Sequence, residues 1–177
     1  MQCIEVVTQD HMVLRRALNI LDAIVVALER SEPVEFNDAQ AIVQFIQVFG
    51  IEQHQPMEDM LFTTLRHKAP LENRIQHMVF QHEEERVVMM DIQEALTFRR
   101  GVDFVQHARL LITLYRSHFD QEEAILAQIA EAALSAPEDN AVVIELTGSR
   151  KSPVDYTSYT RLGWKYLSAS QAQTKTA

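Results

Sequence analysis

Four long stretches of this chain carry apolar residues at alternating three- and four-residue spacing, and each admits a histidine into that series. The first reads Ile4, Val7, His11, Leu14, Leu18, Leu21, Val25, Leu28. The second has Ile42, Phe45 and Phe49 in a less regular first half, then Ile51, His54, Glu58, Leu61, Leu65. The third reads Ile75, Met78, His82, Glu85, Met89, Ile92, Leu96, and the fourth Phe104, Ala108, Leu111, Tyr115, His118, Glu122, Ile125, Ile129. Such spacing keeps one face of a helix turned inward. Four of these faces can be buried together only if the helices pack against one another.

Local signals place the boundaries. Helix one spans about 3–30 and is broken by Ser31-Glu32-Pro33. Helix two starts from a cap at Asn37 or Asp38, runs to about His67, and stops before Pro70, with Gly50 a local weak point. Helix three covers about 71–98, where Arg99-Arg100-Gly101 supplies terminal cations and a closing glycine. Helix four covers about 102–134. Short connections between long amphipathic helices predict an all-α, antiparallel up-down-up-down four-helix bundle over residues 1–134. Residues 135–177 form a C-terminal extension, partly ordered, with Tyr156, Tyr159, Trp164 and Tyr166 and flexible last residues. Its aromatic part is expected to dock on the bundle or to join two copies as a homodimer.

Composition excludes several classes. A chain of 177 residues with 47% hydrophobic content, four glycines and five prolines suits one helical domain. The net charge of −9 leaves no basic face for nucleic acid. Cys3, the only cysteine, permits neither an internal disulfide nor a cysteine-rich metal site and fits a reducing cytoplasm. The start MQCIEVVTQDHMVLRR has no secretory pattern, and no apolar run approaches the ~20 residues that cross a bilayer. The expectation is a cytoplasmic protein without a membrane partner.

His11, His54, His82 and His118 would be costly in a core unless their nitrogens are satisfied. Glu58 and Glu122 each follow a histidine by one turn, on the same face. At a rise of 1.5 Å per residue, the levels of all six agree to within about 5 Å in an antiparallel bundle, about 15 Å from one end. A lone seam histidine is more often a hydrogen-bonded core residue, and a single His-x-x-x-Glu pair occurs on many exposed helices. Six in one layer point to metal. Four imidazoles with two carboxylates exceed the needs of one tetrahedral zinc. They suit two ions, each taking two histidines and sharing both carboxylates. Two divalent ions carry more charge than two carboxylates cancel, which leaves room for a bridging hydroxide or oxide and an exogenous small molecule.

Other residues carry weaker signals. Glu85 is either an additional ligand or hydrogen-bond partner, or a carboxylate turned to solvent or to Arg86 or Arg116. Tyr115 is either a hydrogen-bond donor to a bound ligand or a core tyrosine. Asp59, Glu83, Glu84 and Glu123 read as a solvated acidic face, and His67, His77 and His107 as solvated. The seven methionines read as core filling. Glu-x-x-His di-iron bundles are set aside, since no histidine has a glutamate three residues before it. No residue is assigned a catalytic role. A bundle whose polar layer only fixes helix register remains an alternative.

The stretches QDHMVLRRAL, EQHQPMEDMLF, FQHEEER and LYRSHFDQEEAIL resemble the hemerythrin-like (HHE cation-binding) family over about residues 3–134. The resemblance implies a four-helix bundle holding two iron ions in an oxo- or hydroxo-bridged non-haem centre. His11, His54, His82 and His118 would be terminal ligands, and Glu58 and Glu122 the bridges. Oxygen-carrying members have a fifth histidine one turn after the third-helix ligand; here that position is Arg86, which argues against reversible O2 carriage. The resemblance thus implies binding or reduction of O2, NO or peroxide in stress response or in iron and oxygen sensing. Its alternative is a non-catalytic iron-binding or iron-donating role, such as iron–sulfur cluster repair.

Overall fold

The first ladder folds as α1 (Gln2–Glu29), which buries Val7, His11, Leu14, Leu18, Leu21 and Val25 along one face. The computed structural model describes residues 1–66, 72–148 and 154–173; His67, the side chain of Ile129 and the last residues, 174–177, lie outside the described residues. The second ladder is one continuous helix over 36–66: α2 (Phe36–Ile46), a π-helical segment (Gln47–His54) and α3 (Gln55–Arg66). Then come α4 (Glu72–Thr97), α5 (Gly101–Ala133), α6 (Ala136–Gly148) and α7 (Tyr156–Gln173). The described residues contain no strand, and the four long helices form the expected all-α bundle. No described helix is long and apolar enough to cross a membrane.

The π segment has a cause in the sequence. Ile46, Gly50, His54 and Glu58 are all buried, yet they repeat every four residues. A 3.6-residue helix would rotate them about 40° further off the face at each step. The wider π turn absorbs that drift, and such bulges gather at functional sites. Gly50 permits the close approach: a Cβ there would stand 2.9 Å from Tyr115 Oη and 3.2 Å from Leu14 Cδ2.

Two helix ends differ from expectation. Gly101 does not close the third helix; it opens α5. The left-handed closing position is taken by Arg99 (φ 53), with Arg99 N–H donating to Leu96 O and Arg100 N–H to Ala95 O. The same reciprocal pair ends α1, where Ser31 (φ 56) N–H donates to Leu28 O and Glu32 N–H to Ala27 O. At the start of α2 the cap position is Glu35, whose side chain makes no capping bond, and Asp38 instead turns into the interior toward α7.

The apolar core is divided by the histidine level. One cluster contains Leu14, Leu18, Leu21, Ile42, Ile46, Met89, Ile92 and Leu111. The other contains Val7, Met57, Leu61, Phe62, Met78 and Leu126. The extension packs onto the bundle at both ends of this arrangement. Asp139 of α6 accepts the free N–H groups of Gln2 (3.0 Å) and Cys3 (3.1 Å) at the start of α1, a favourable place for a carboxylate. In α7, Tyr159 stacks on Phe45 at 4.3 Å, Leu162 is fully buried, and Arg161, Lys165 and Tyr166 converge on Asp38.

Candidate metal centre

The structure brings His11, His54, Glu58, His82, His118 and Glu122 into one layer, each 0 or 1% exposed. Glu58 stands at its middle. Its Oε1 lies 3.0 Å from His11 Nε2 and 2.7 Å from His54 Nε2, while its Oε2 lies 3.1 Å from His82 Nε2 and 3.9 Å from His118 Nε2. Glu122 Oε2 is 3.1 Å from His11 Nε2 and 3.5 Å from His118 Nε2. Two groups able to hold a cation share Glu58: His11 with His54, and His82 with His118, each set having ligand atoms within 4.8 Å of one another.

Most of these inner atoms are short of hydrogen bonds. His54 Nε2, His82 Nε2, His118 Nε2, Glu58 Oε2 and both Glu122 oxygens are buried without an aligned partner among the described residues. Left so, each buried group costs roughly 1–3 kcal/mol, and native cores rarely leave several such atoms together. The set is two carboxylates and four imidazoles, all converging, and it fits a pair of cations.

Three of the outer nitrogens are hydrogen-bonded, and the fourth, His54 Nδ1, faces a carboxylate without an aligned hydrogen bond. His11 Nδ1 faces Glu123 Oε1 at 2.9 Å, His54 Nδ1 faces Asp10 Oδ2 at 3.4 Å, His82 Nδ1 faces Asp59 Oδ1 at 2.9 Å, and His118 Nδ1 faces Gln81 Oε1 at 3.2 Å. Each partner comes from the neighbouring helix in the cycle. Asp10 of α1 serves His54, Asp59 of α3 serves His82, Gln81 of α4 serves His118, and Glu123 of α5 serves His11. A donor bond at Nδ1 fixes the ring and its tautomer and leaves Nε2 aimed at the centre. Reading the sequence as a solvated acidic face missed Asp59 and Glu123, which are half-buried. A signal was available: all four partners are immediate sequence neighbours of a layer residue, rotated about 100° toward the next helix.

The carboxylates dominate the electrostatics of the metal-free layer. Burial alone lowers the affinity of His11 for a proton, but Glu122 and Glu58 outweigh it and raise its pKa to about 10. His82, opposed by burial and favoured by Asp59 and Glu58, rises to about 9. His54 and His118 are raised for the same kind of reason, and the imidazoles hold Glu58 well below the usual carboxylate range despite its burial.

The remaining candidates separate clearly. Glu85 is fully buried, accepts a hydrogen bond from Gln55 Nε2 at 2.7 Å, and is pushed up by burial. Tyr115 is a core residue whose Oη has no partner among the described residues. Arg86 turns outward to Glu83 (2.6 Å) and Asp59 (3.4 Å). His77 is exposed, and His107 is half-buried beside Asp91 at 3.7 Å. Neither the curated proteins nor the solved structures contain a match to the chain. The family model for the hemerythrin HHE cation binding domain matches residues 3–130.

Proposed function

The chain belongs to the hemerythrin HHE cation-binding domain family, and on that premise we propose that it is a non-haem di-iron protein that binds or reduces O2, NO or peroxide. The observation that carries this reading is Glu58, one carboxylate whose two oxygens face two separate histidine pairs. A single structural ion would need neither the second pair nor Glu122. His11, His54, His82 and His118 would hold the two ions through Nε2, with Glu58 and Glu122 between them.

Bound iron would supply an open coordination position and the electrons to reduce an oxidant. The chain supplies everything else. The outer ring of Asp10, Asp59, Gln81 and Glu123 orients the imidazoles. Two apolar clusters keep bulk water from the layer, which strengthens every charge interaction within it. Arg86, paired outward, offers no fifth imidazole, so the centre is read as a reactive or sensing site and not as a reversible oxygen carrier. Its setting is read as the cytoplasm, where a lone buried thiol such as Cys3 stays reduced.

The test is metal content and optical spectrum of protein purified without oxygen and then exposed to air. Two irons per chain with new near-ultraviolet charge-transfer bands are expected. A single zinc, or no metal with the fold intact, would overturn the reading. Stoichiometric loss of iron to a chelator without turnover of oxidant would instead mark an iron donor.

A further inference from the structure

The two sides of the histidine layer are chemically unlike. One turn toward the start of α1 the bundle is apolar, with Val7, Leu61, Phe62, Met78 and Leu126 all buried. On the other side lie three fully buried polar side chains from three helices: Gln55 of α3, Glu85 of α4 and Tyr115 of α5. The topology puts them on the same side. α4 and α5 are antiparallel, so Glu85, three residues after His82, and Tyr115, three residues before His118, are each displaced about 4.5 Å from the layer in one direction.

Each of the three retains an unpartnered atom. Gln55 donates to Glu85 Oε2 at 2.7 Å, which leaves Gln55 Oε1, Glu85 Oε1 and Tyr115 Oη buried and without a hydrogen bond among the described residues. A core tyrosine ordinarily finds a partner for its hydroxyl. Here Gly50, inside the π segment, admits the hydroxyl itself, since any Cβ would stand 2.9 Å from it. A small polar occupant between the layer and these three groups would satisfy the three unpaired atoms.

We propose that Gln55, Glu85 and Tyr115 form the polar wall of the ligand chamber of this centre and select a small ligand that makes hydrogen bonds, of the peroxide class, over an apolar diatomic gas. The inference rests on the di-iron reading and names the ligand class for it. Discrimination of this kind is strong because a ligand without hydrogen-bonding atoms leaves the buried wall unpaired. The three residues position the ligand and are not metal ligands.

The experiment compares iron-loaded wild type with Tyr115→Phe and Glu85→Gln, using azide as the hydrogen-bonding probe and nitric oxide as the weakly hydrogen-bonding one. Both variants are expected to keep the wild-type iron content, to bind azide about tenfold more weakly with a shifted azide-to-iron band, and to bind nitric oxide within about twofold of wild type. Unchanged azide affinity at full iron content overturns the chamber while leaving the metal centre standing. Loss of iron in either variant also overturns it, since those groups would then be ligands. Absence of iron in wild type defeats the metal reading instead. In that event the metal-free protein still decides the chamber: Tyr115→Phe must unfold at the same or higher urea concentration, because it deletes an unsatisfied hydroxyl without changing shape. A lower midpoint would show that Tyr115 Oη has a partner and that no chamber exists.

Discussion

Asp59 Oδ1 lies 2.9 Å from His82 Nδ1, across the contact between α3 and α4, and each helix repeats this service for the next around the bundle. A histidine oriented from outside presents Nε2 inward without searching rotamers. Orienting partners of this kind are worth about 10- to 100-fold in metal affinity. Asp59→Ala is therefore expected to weaken metal binding by about that factor, measured by competition with a chromophoric chelator. Glu83→Ala, one residue after His82 but directed to Arg86 in solvent, should leave affinity unchanged. Equal effects from both would show that charge near the site, and not ring orientation, is what matters.

Glu58 and Glu122 are not equivalent. Glu58 approaches all four imidazoles, whereas Glu122 approaches His11 and His118. Removing either bridge should lose most of one or both metals, with Glu58→Ala the more severe. His77→Ala, on an exposed position, should retain wild-type metal content. Full metal retention in both glutamate variants would defeat the bridging assignment.

The bundle was legible because the four ladders repeat at helical spacing for many turns, and each histidine interrupts its ladder at one level. What was not legible depends on directions across the ladder. Asp59 and Glu123 lie beside the inward face, where a sequence cannot tell a group facing a neighbour helix from one facing water. The π segment was visible only as irregularity near Gly50, since a four-residue repeat looks like ordinary helical scatter until all its members prove buried. Asp38 had the residue type and position of a cap, but three partners more than 120 residues away in α7 outcompete that role. Gly101 followed a helix end, yet a reciprocal pair of backbone bonds closes that helix through Arg99.

That substitution of a non-glycine residue at a left-handed closing position gives a stability prediction. Ser31 has φ 56 and an exposed side chain. A residue with a Cβ is held there at a cost of roughly 1–2 kcal/mol, which glycine avoids, although glycine loses more freedom on folding. Ser31→Gly should raise stability by about 0.5–1 kcal/mol in urea unfolding. A decrease would mean the Ser31 hydroxyl does more than fill a loop.

The α7 anchor is a buried carboxylate facing cations at the surface. Asp38 is 1% exposed and accepts from Lys165 and Arg161 at 2.6 and 2.9 Å and from Tyr166 Oη at 2.9 Å. Burial opposes ionisation, but these three partners hold its pKa below the ordinary carboxylate value. Because Arg161 and Lys165 are themselves half-exposed, water can solvate them once Asp38 is gone. Asp38→Ala should therefore cost about 2 kcal/mol, below the 3–5 kcal/mol of a fully buried pair. Limited trypsin digestion should cut earlier at Arg161 and Lys165; an unchanged pattern would show that Tyr159, Leu162 and their apolar contacts hold α7 alone.

The pH dependence of the metal-free protein follows from the histidines. His11 rises from 6.5 to about 10 and His82 from 6.5 to about 9 in the folded state. A group whose pKa is raised on folding binds its proton more tightly folded than unfolded, so its stabilisation is fully present below the unfolded value and is lost as pH rises through the folded one. The metal-free protein should lose stability between about pH 6.5 and 10, read as a falling urea midpoint. Metal-loaded protein should not follow that slope, because the cations take the place of the protons between the same carboxylates and imidazoles. Metal uptake at pH 7 should accordingly release protons, measurable as a buffer-dependent binding enthalpy. A metal-free stability that is flat or rising across this window would show that the imidazoles are neutral in the empty layer and that the carboxylates do not hold them as cations.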